Sequence, residues 1–191
     1  MRKGFFIVES MVALSILTVG FLGMLTLLAK SLSLNREIAN SYVGNYLALE
    51  GMELVKNVID ANIAYMQNLN NQQCKWNSGF ETAGVYELDW RLTPVDRNDS
   101  KKDCPGKAFA QWTYIGDPLK MEQFVNPNGE VSYMYGYRSG TPTSFTRRIE
   151  VTPNPQNSDE LRVNSIVEWA VRGGGTFAVN VEHRLYNWQR R

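Results

Sequence analysis

The feature that most limits this chain is a run of 25 residues, Phe5–Ala29, in which Glu9 is the only ionisable side chain. Arg2 and Lys3 precede the run and Lys30 closes it. Wound as a helix rising ~1.5 Å per residue, such a run is roughly 37 Å long, enough to cross ~30 Å of hydrocarbon. The basic pair in front places the N-terminus on the cytoplasmic side, and the ~160 residues that follow lie outside. The mean hydropathy of the whole chain, −0.32, hides this asymmetry.

Three readings compete for the segment. A cleaved secretory signal has a shorter apolar core followed by a small-residue cleavage site. Here the run is long, and Ala29-Lys30-Ser31 is a poor version of that site. A plain signal anchor fits the length. It does not account for Glu9, because a carboxylate in lipid costs several kcal/mol and needs a partner.

The third reading supplies one. The string Lys3-Gly4-Phe5-Phe6-Ile7-Val8-Glu9, followed by Ser10–Ala29, resembles the prepilin signal of type IV pilins and type II secretion pseudopilins. The resemblance implies that a prepilin peptidase cuts between Gly4 and Phe5, that the new Phe5 amine is methylated, and that Glu9 is the acid of the motif. A cationic amine at Phe5 and a carboxylate on a neighbouring subunit are each costly in lipid, and pairing them between subunits fixes register. Further on, Glu9-Ser10-Met11-Val12-Ala13-Leu14-Ser15-Ile16-Leu17 and Val19-Gly20-Phe21-Leu22-Gly23 look like the PilV-like minor pilins and their pseudopilin relatives. Gly20 and Gly23 read either as weak points of the helix or as places of close helix–helix packing.

No proline interrupts residues 5–93. Leu34, Ile38, Tyr42, Val43, Tyr46, Leu47, Leu49, Leu54, Val55, Val58, Ile59 and Ile63 recur at three- and four-residue spacing, the period of a helix with one buried stripe. Asn35, Arg36, Asn40, Asn45, Lys56, Asn57 and Asn62 occupy the opposite side. The spacing predicts one helix from about Phe5 to about Tyr65. Glu50 and Glu53 read as solvated, with Glu53 and Lys56 as an i,i+3 pair.

Beyond the helix the period changes to two. Tyr86, Leu88, Trp90 and Leu92 alternate, and Asn126-Pro127-Asn128-Gly129 turns the chain into Val131, Tyr133, Tyr135 and Tyr137. Phe145, Ile149 and Val151 share a face, as do Leu161, Val163, Val167, Trp169 and Val171. Gly173-Gly174-Gly175 leads into Phe177, Val179, Val181, His183 and Leu185. Segment 93–120 reads as a long surface loop. The fold class expected is α+β: a long N-terminal helix, membrane stem plus amphipathic half, covering one side of an antiparallel sheet. That is also the pilin architecture which the resemblance implies. The organisation expected is a leader over 1–4, a membrane and assembly segment over 5–30, and an extracytoplasmic head over 31–191 that includes the second half of the helix.

Few residues suggest chemistry. Cys74 and Cys104 both fall in the part assigned outside the cytoplasm, where two cysteines pair into a disulfide; two free thiols are the alternative. The lone histidine, His183, sits in the apolar phase of its strand and reads as a hydrogen-bonded core residue. Without a second histidine there is no basis for a zinc site or a His-based triad. Asp96, Asn98, Asp99 and Asp103 could gather around Ca²⁺, but their spacing fits no EF-hand and a solvated loop is the simpler account. Tyr133, Tyr135 and Tyr137 could stack on a glycan or a base, with sheet packing as the simpler account. Lys+Arg 20 against Asp+Glu 19 leaves a charge of +1, without the basic excess of a nucleic-acid protein.

The expected function is therefore structural, not enzymatic: a minor pilin-like subunit of a type IV pilus, polymerised through Phe5–Ala29. Its expected partners are other pilin subunits, prepilin peptidase, an inner-membrane assembly platform and the membrane, with no cofactor, metal or nucleic acid. It is expected as a single-pass protein of the cytoplasmic membrane that reaches the cell surface on assembly. A pseudopilin of a type II secretion apparatus uses the same N-terminal chemistry, and a membrane-anchored adhesin or binding module remains open beside it.

Overall fold

The structure, a computed structural model, describes residues 3–69, 74–90, 104–107, 114–171 and 174–188. One helix, α1, runs Lys3–Leu69, a few residues beyond the expected span at each end. The chain divides into two compact units, Met1–Tyr42 and Val43–Arg191. In the first, the side chains from Phe6 to Leu34 are exposed throughout.

The second unit holds the rest of α1 and six described strands: β1 (Gly84–Tyr86), β2 (Pro118–Val125), β3 (Val131–Gly136), β4 (Thr141–Pro153), β5 (Glu160–Ala170) and β6 (Thr176–Tyr186). All pairings are antiparallel, in the order β3-β2-β4-β5-β6, with β1 also beside β4. The 13-residue β4 is the axis of the sheet. Its length lets two partners share one edge: β2 pairs with it over 141–146, and β1 takes 149–151. The architecture is α+β, a long N-terminal helix packed on an antiparallel sheet.

The core lies between α1 and the sheet. Met52, Val55, Val58, Ile59 and Ile63 meet Trp76, Phe80, Tyr86, Leu88, Ile149, Val151, Leu161 and Val163. Leu47 and Ala48 meet Leu119, Tyr137, Phe145, Val167 and Trp169. At two helix positions the sheet comes too close for any side chain. A Cβ on Gly44 would strike the indole of Trp169, and one on Gly51 would strike Ser165 Oγ, with Ile149 beside it. The two glycines are seven residues apart, hence on one face, and they set how deeply the helix sits.

Several sequence expectations need correction. The apolar helix positions do not form a single buried stripe. Ile38, Tyr42, Tyr46 and Leu49 are exposed, Tyr46 by 71%. Asn62, expected on the solvent side, is fully buried. The first strand is only Gly84–Tyr86, and 87–89 continue as buried chain outside any strand. The expected loop 93–120 ends early, because β2 begins at Pro118. His183 is exposed and not in the core, because β6 is the edge strand, where Phe177 of the same phase is exposed and Val179, Val181 and Leu185 are only partly covered. Tyr133 is exposed, Tyr135 half-buried and Tyr137 buried, so the tyrosine row runs from solvent into the core. The expectations on Leu92, Asp96, Asn98, Asp99, Asp103 and Gly173 fall outside the described residues, as does the front of the leader, Met1 and Arg2.

The close approach at Gly51 gives a test. Gly51→Ala should destabilise the second unit by about 1–3 kcal/mol through overpacking. Adding Ser165→Gly should recover part of that loss, because the two positions share one space. Gly20→Ala, where a Cβ meets nothing within 4 Å, should leave urea unfolding of the same unit unchanged.

Candidate functional site

The candidate assembly site is built from the first unit. A helix satisfies its own backbone polar groups, as a segment in lipid must. Here the hydroxyls do the same: Ser10 donates to Ile7 O at 2.9 Å, Ser15 to Met11 O at 2.7 Å, Thr18 to Ser15 O at 2.9 Å and Thr26 to Leu22 O at 2.6 Å. These four side chains therefore show little polarity to their surroundings. Around them Phe6, Ile7, Val8, Met11, Val12, Leu14, Ile16, Leu17, Val19, Phe21 and Leu22 are each more than half exposed. Glu9 stands exposed among them, a single carboxylate on an apolar surface. The helix that starts here is long and apolar enough to cross a membrane. Gly4 and Phe5 lie in its first turns. Nothing lies within 4 Å of a Cβ at Gly20 or Gly23, and α1 continues through both.

The second unit is organised around a buried cation. Arg147, on β4, is fully buried. Its Nη1 donates to Leu47 O at 3.0 Å and to Glu50 Oε2 at 3.1 Å, and its Nη2 donates to Leu88 O at 2.7 Å. One guanidinium thus ties the helix, the central strand and the 87–89 segment together. Glu50 keeps 34% of its side chain exposed, so it serves as a half-wet counter-ion and not as the freely solvated acid expected. The Glu53–Lys56 pair does form, at 3.6 Å on the surface. Such a pair contributes well under ~1 kcal/mol.

Two more carboxylates are buried by capping backbone. Glu87 Oε1 accepts the N–H groups of Ile115, Gly116 and Asp117 at 3.1, 2.7 and 3.1 Å. Glu122 Oε1 accepts those of Arg138 and Ser139 at 3.2 and 3.1 Å. Each closes a loop whose amides would otherwise be unsatisfied. Tyr137 joins the network by donating its hydroxyl to Arg147 O at 2.9 Å.

Cys74 and Cys104 are joined in a disulfide, their Cα atoms 5.4 Å apart and both residues 3% exposed. They are inaccessible and structural. Among the described residues no group of three or more His, Cys, Asp and Glu side chains could hold a metal ion. His183 stands on an exposed edge. Sequence reasoning missed Arg147, Glu87, Glu122 and Asn62, although residue phase held a signal for two of them. Arg147 shares the parity of Phe145, Ile149 and Val151, and Asn62 falls between Val58 and Ile59 on one side and Ile63 on the other. No family model matches this chain, and neither the curated proteins nor the solved structures compared with it give a match.

The network makes a prediction about alkali. Burial pushes the Tyr137 phenol up, Arg147 pulls it partly back and Glu87 and Asp89 push it further, to about 12 from an ordinary 10.0. A folded acid that holds its proton longer than the unfolded one stabilises the fold fully below pH 10. That contribution is lost as the pH climbs from 10 towards 12. Two pH units correspond to about 3 kcal/mol. Tyrosinate absorbance should show a late phenol that is lost in Tyr137→Phe, a variant whose stability should vary less with pH over the same window.

Proposed function

We propose that this chain is a minor pilin-like structural subunit of a type IV filament, cleaved between Gly4 and Phe5 and polymerised through the segment that follows. The observation that carries the reading is the exposed apolar helix with its lone Glu9, placed directly behind Lys3-Gly4-Phe5. Left in water, that surface costs roughly 25 cal/mol for each Å² of apolar area. Lipid removes the cost in the membrane pool, and the helices of neighbouring subunits remove it in a filament. A bilayer offers Glu9 no counter-charge. Cleavage creates one, because the new Phe5 amine is cationic and can approach the Glu9 of a neighbour.

The remaining features support the same use. The N-terminus stays cytoplasmic before cleavage, as the Arg2-Lys3 pair directs. The head then lies where a disulfide persists, in accord with the Cys74–Cys104 bond. Tyr46 and Leu49, exposed on α1 within the second unit, offer apolar contact to a packed neighbour. The described polar clusters are spent on holding the fold, which favours a structural role over a catalytic one.

Glu9→Gln separates charge from shape. The variant should insert and be cleaved like the wild type, since a neutral amide is easier to hold in lipid than a carboxylate. It should be poorly recovered in sheared filaments, because an unpaired amine in a dry filament core costs about 3–5 kcal/mol. Recovery equal to wild type would remove Glu9 as the register device and favour a passive anchor.

A further inference from the structure

The disulfide does not by itself organise its surroundings. Cys74 begins a turn through Phe80, closed by Ser78 N–H donating to Lys75 O at 3.1 Å and Phe80 N–H to Asn77 O at 2.9 Å. Cys104 begins a 3₁₀ turn, closed by Lys107 N–H donating to Cys104 O at 3.0 Å. The two turns cross with no room between their backbones. A Cβ on Gly79 would strike Gly106 O, and one on Gly106 would strike Ser78 O. Gly79 also has φ +91°, which only glycine adopts at little cost.

Asn62, from the last turns of α1, reaches into this crossing and is 0% exposed. Its Nδ2 donates to Trp76 O at 3.1 Å and to Ser78 O at 2.9 Å, and its Oδ1 accepts Gly106 N–H at 2.8 Å. Both cysteine turns are thus held to the helix, and to each other, by a single amide. Thiol–disulfide exchange needs a thiolate to reach a sulfur in line, and both cysteines are 3% exposed. A reductant therefore has to wait for an opening.

We propose that Asn62 is the positioning residue that guards the Cys74–Cys104 bond: its three hydrogen bonds keep the turns crossed, and a thiol reagent reaches the bond only when this clamp opens locally. In the open state a dithiol reductant gives two electrons to the disulfide. It leaves as the cyclic disulfide, and Cys74 and Cys104 are left as two thiols. Oxidised glutathione re-forms the bond through a mixed disulfide: one cysteine thiolate displaces a first glutathione thiol, the second displaces the other, and two glutathione thiols leave. The clamp also holds the two cysteines side by side without the bond, so reduced chain that has already folded can be oxidised in place.

The test uses the full chain in detergent, with excess dithiothreitol and maleimide mass-labelling to count thiols over time. Wild type should be reduced slowly. Asn62→Ala leaves the buried carbonyls of Trp76 and Ser78 without their donor and should be reduced at least about tenfold faster. Val167→Ala, which creates a cavity in the other part of the core, beside Leu47 and Trp169, should not accelerate reduction by as much when compared at equal loss of stability. Equal rates for Asn62→Ala and wild type would overturn the proposal, as would equal acceleration by Val167→Ala. Should Asn62→Ala fail to fold, the wild type decides. A reduction rate that depends only weakly on added urea marks a local opening, and one that follows the slope of global unfolding overturns the clamp.

Discussion

Apolar surface on α1 has to be removed from water, and the chain does this differently along one helix. From Val43 onward the helix is covered by its own sheet, through Leu47, Ala48, Met52, Val55, Val58, Ile59 and Ile63. From Phe6 to Leu34 its side chains are exposed. Comparable apolar side chains are present in both parts, so the difference lies in what each part is offered. The sheet requires close contact on one face and selects glycine at 44 and 51 to permit it. Lipid or a neighbouring helix requires only that polar groups be satisfied or few, and the back-bonded hydroxyls of Ser10, Ser15, Thr18 and Thr26 meet that condition.

Apolar contact fixes depth but not register, and Arg147 supplies the register. Burying a guanidinium is costly unless its donors find acceptors in the right places. Only one placement of helix, strand and the 87–89 segment brings Leu47 O, Glu50 and Leu88 O to the two Nη atoms together. A slip of one residue on β4 would turn Arg147 to the outer face and remove all three contacts. Gly51 belongs to the same arrangement, since a Cβ there would also press on Arg147 Cδ. The cost of such closeness is visible at Ser165, whose buried Oγ has no hydrogen-bond partner among the described residues.

Local periods were legible in the sequence. The unbroken helix and the alternation of residues 145–151 and 161–169 follow from spacing alone, and the structure has them. Burial was less legible, because period tells which residues share a face but not what lies over that face. Val179 and Val181 alternate as well as Val163 and Val167 do, yet β6 is an edge strand and the helix leaves it half open. Tyr46 and Leu49 have helical spacing but lie on the side turned away from the sheet. Polar residues were least legible. Whether Glu50 meets water or a guanidinium is decided by a strand 97 positions away, and whether Asn62 faces solvent is decided by a turn 44 positions away. The N-terminal segment is the reverse case. Its motif is local, while the use proposed for it depends on molecules outside this chain.

The account turns on that use, and the mass of the mature N-terminus tests it most directly. Intact-mass and fragment analysis of protein recovered from membranes and from sheared surface material should find a chain that begins at Phe5 with one added methyl group on its amine. Its side-chain charge should be −1, since the loss of Arg2 and Lys3 leaves 18 basic against 19 acidic residues. Recovered protein that still begins at Met1, or one cut near Ala29, would contradict the account. The apolar helix would then be an anchor or a secretory signal.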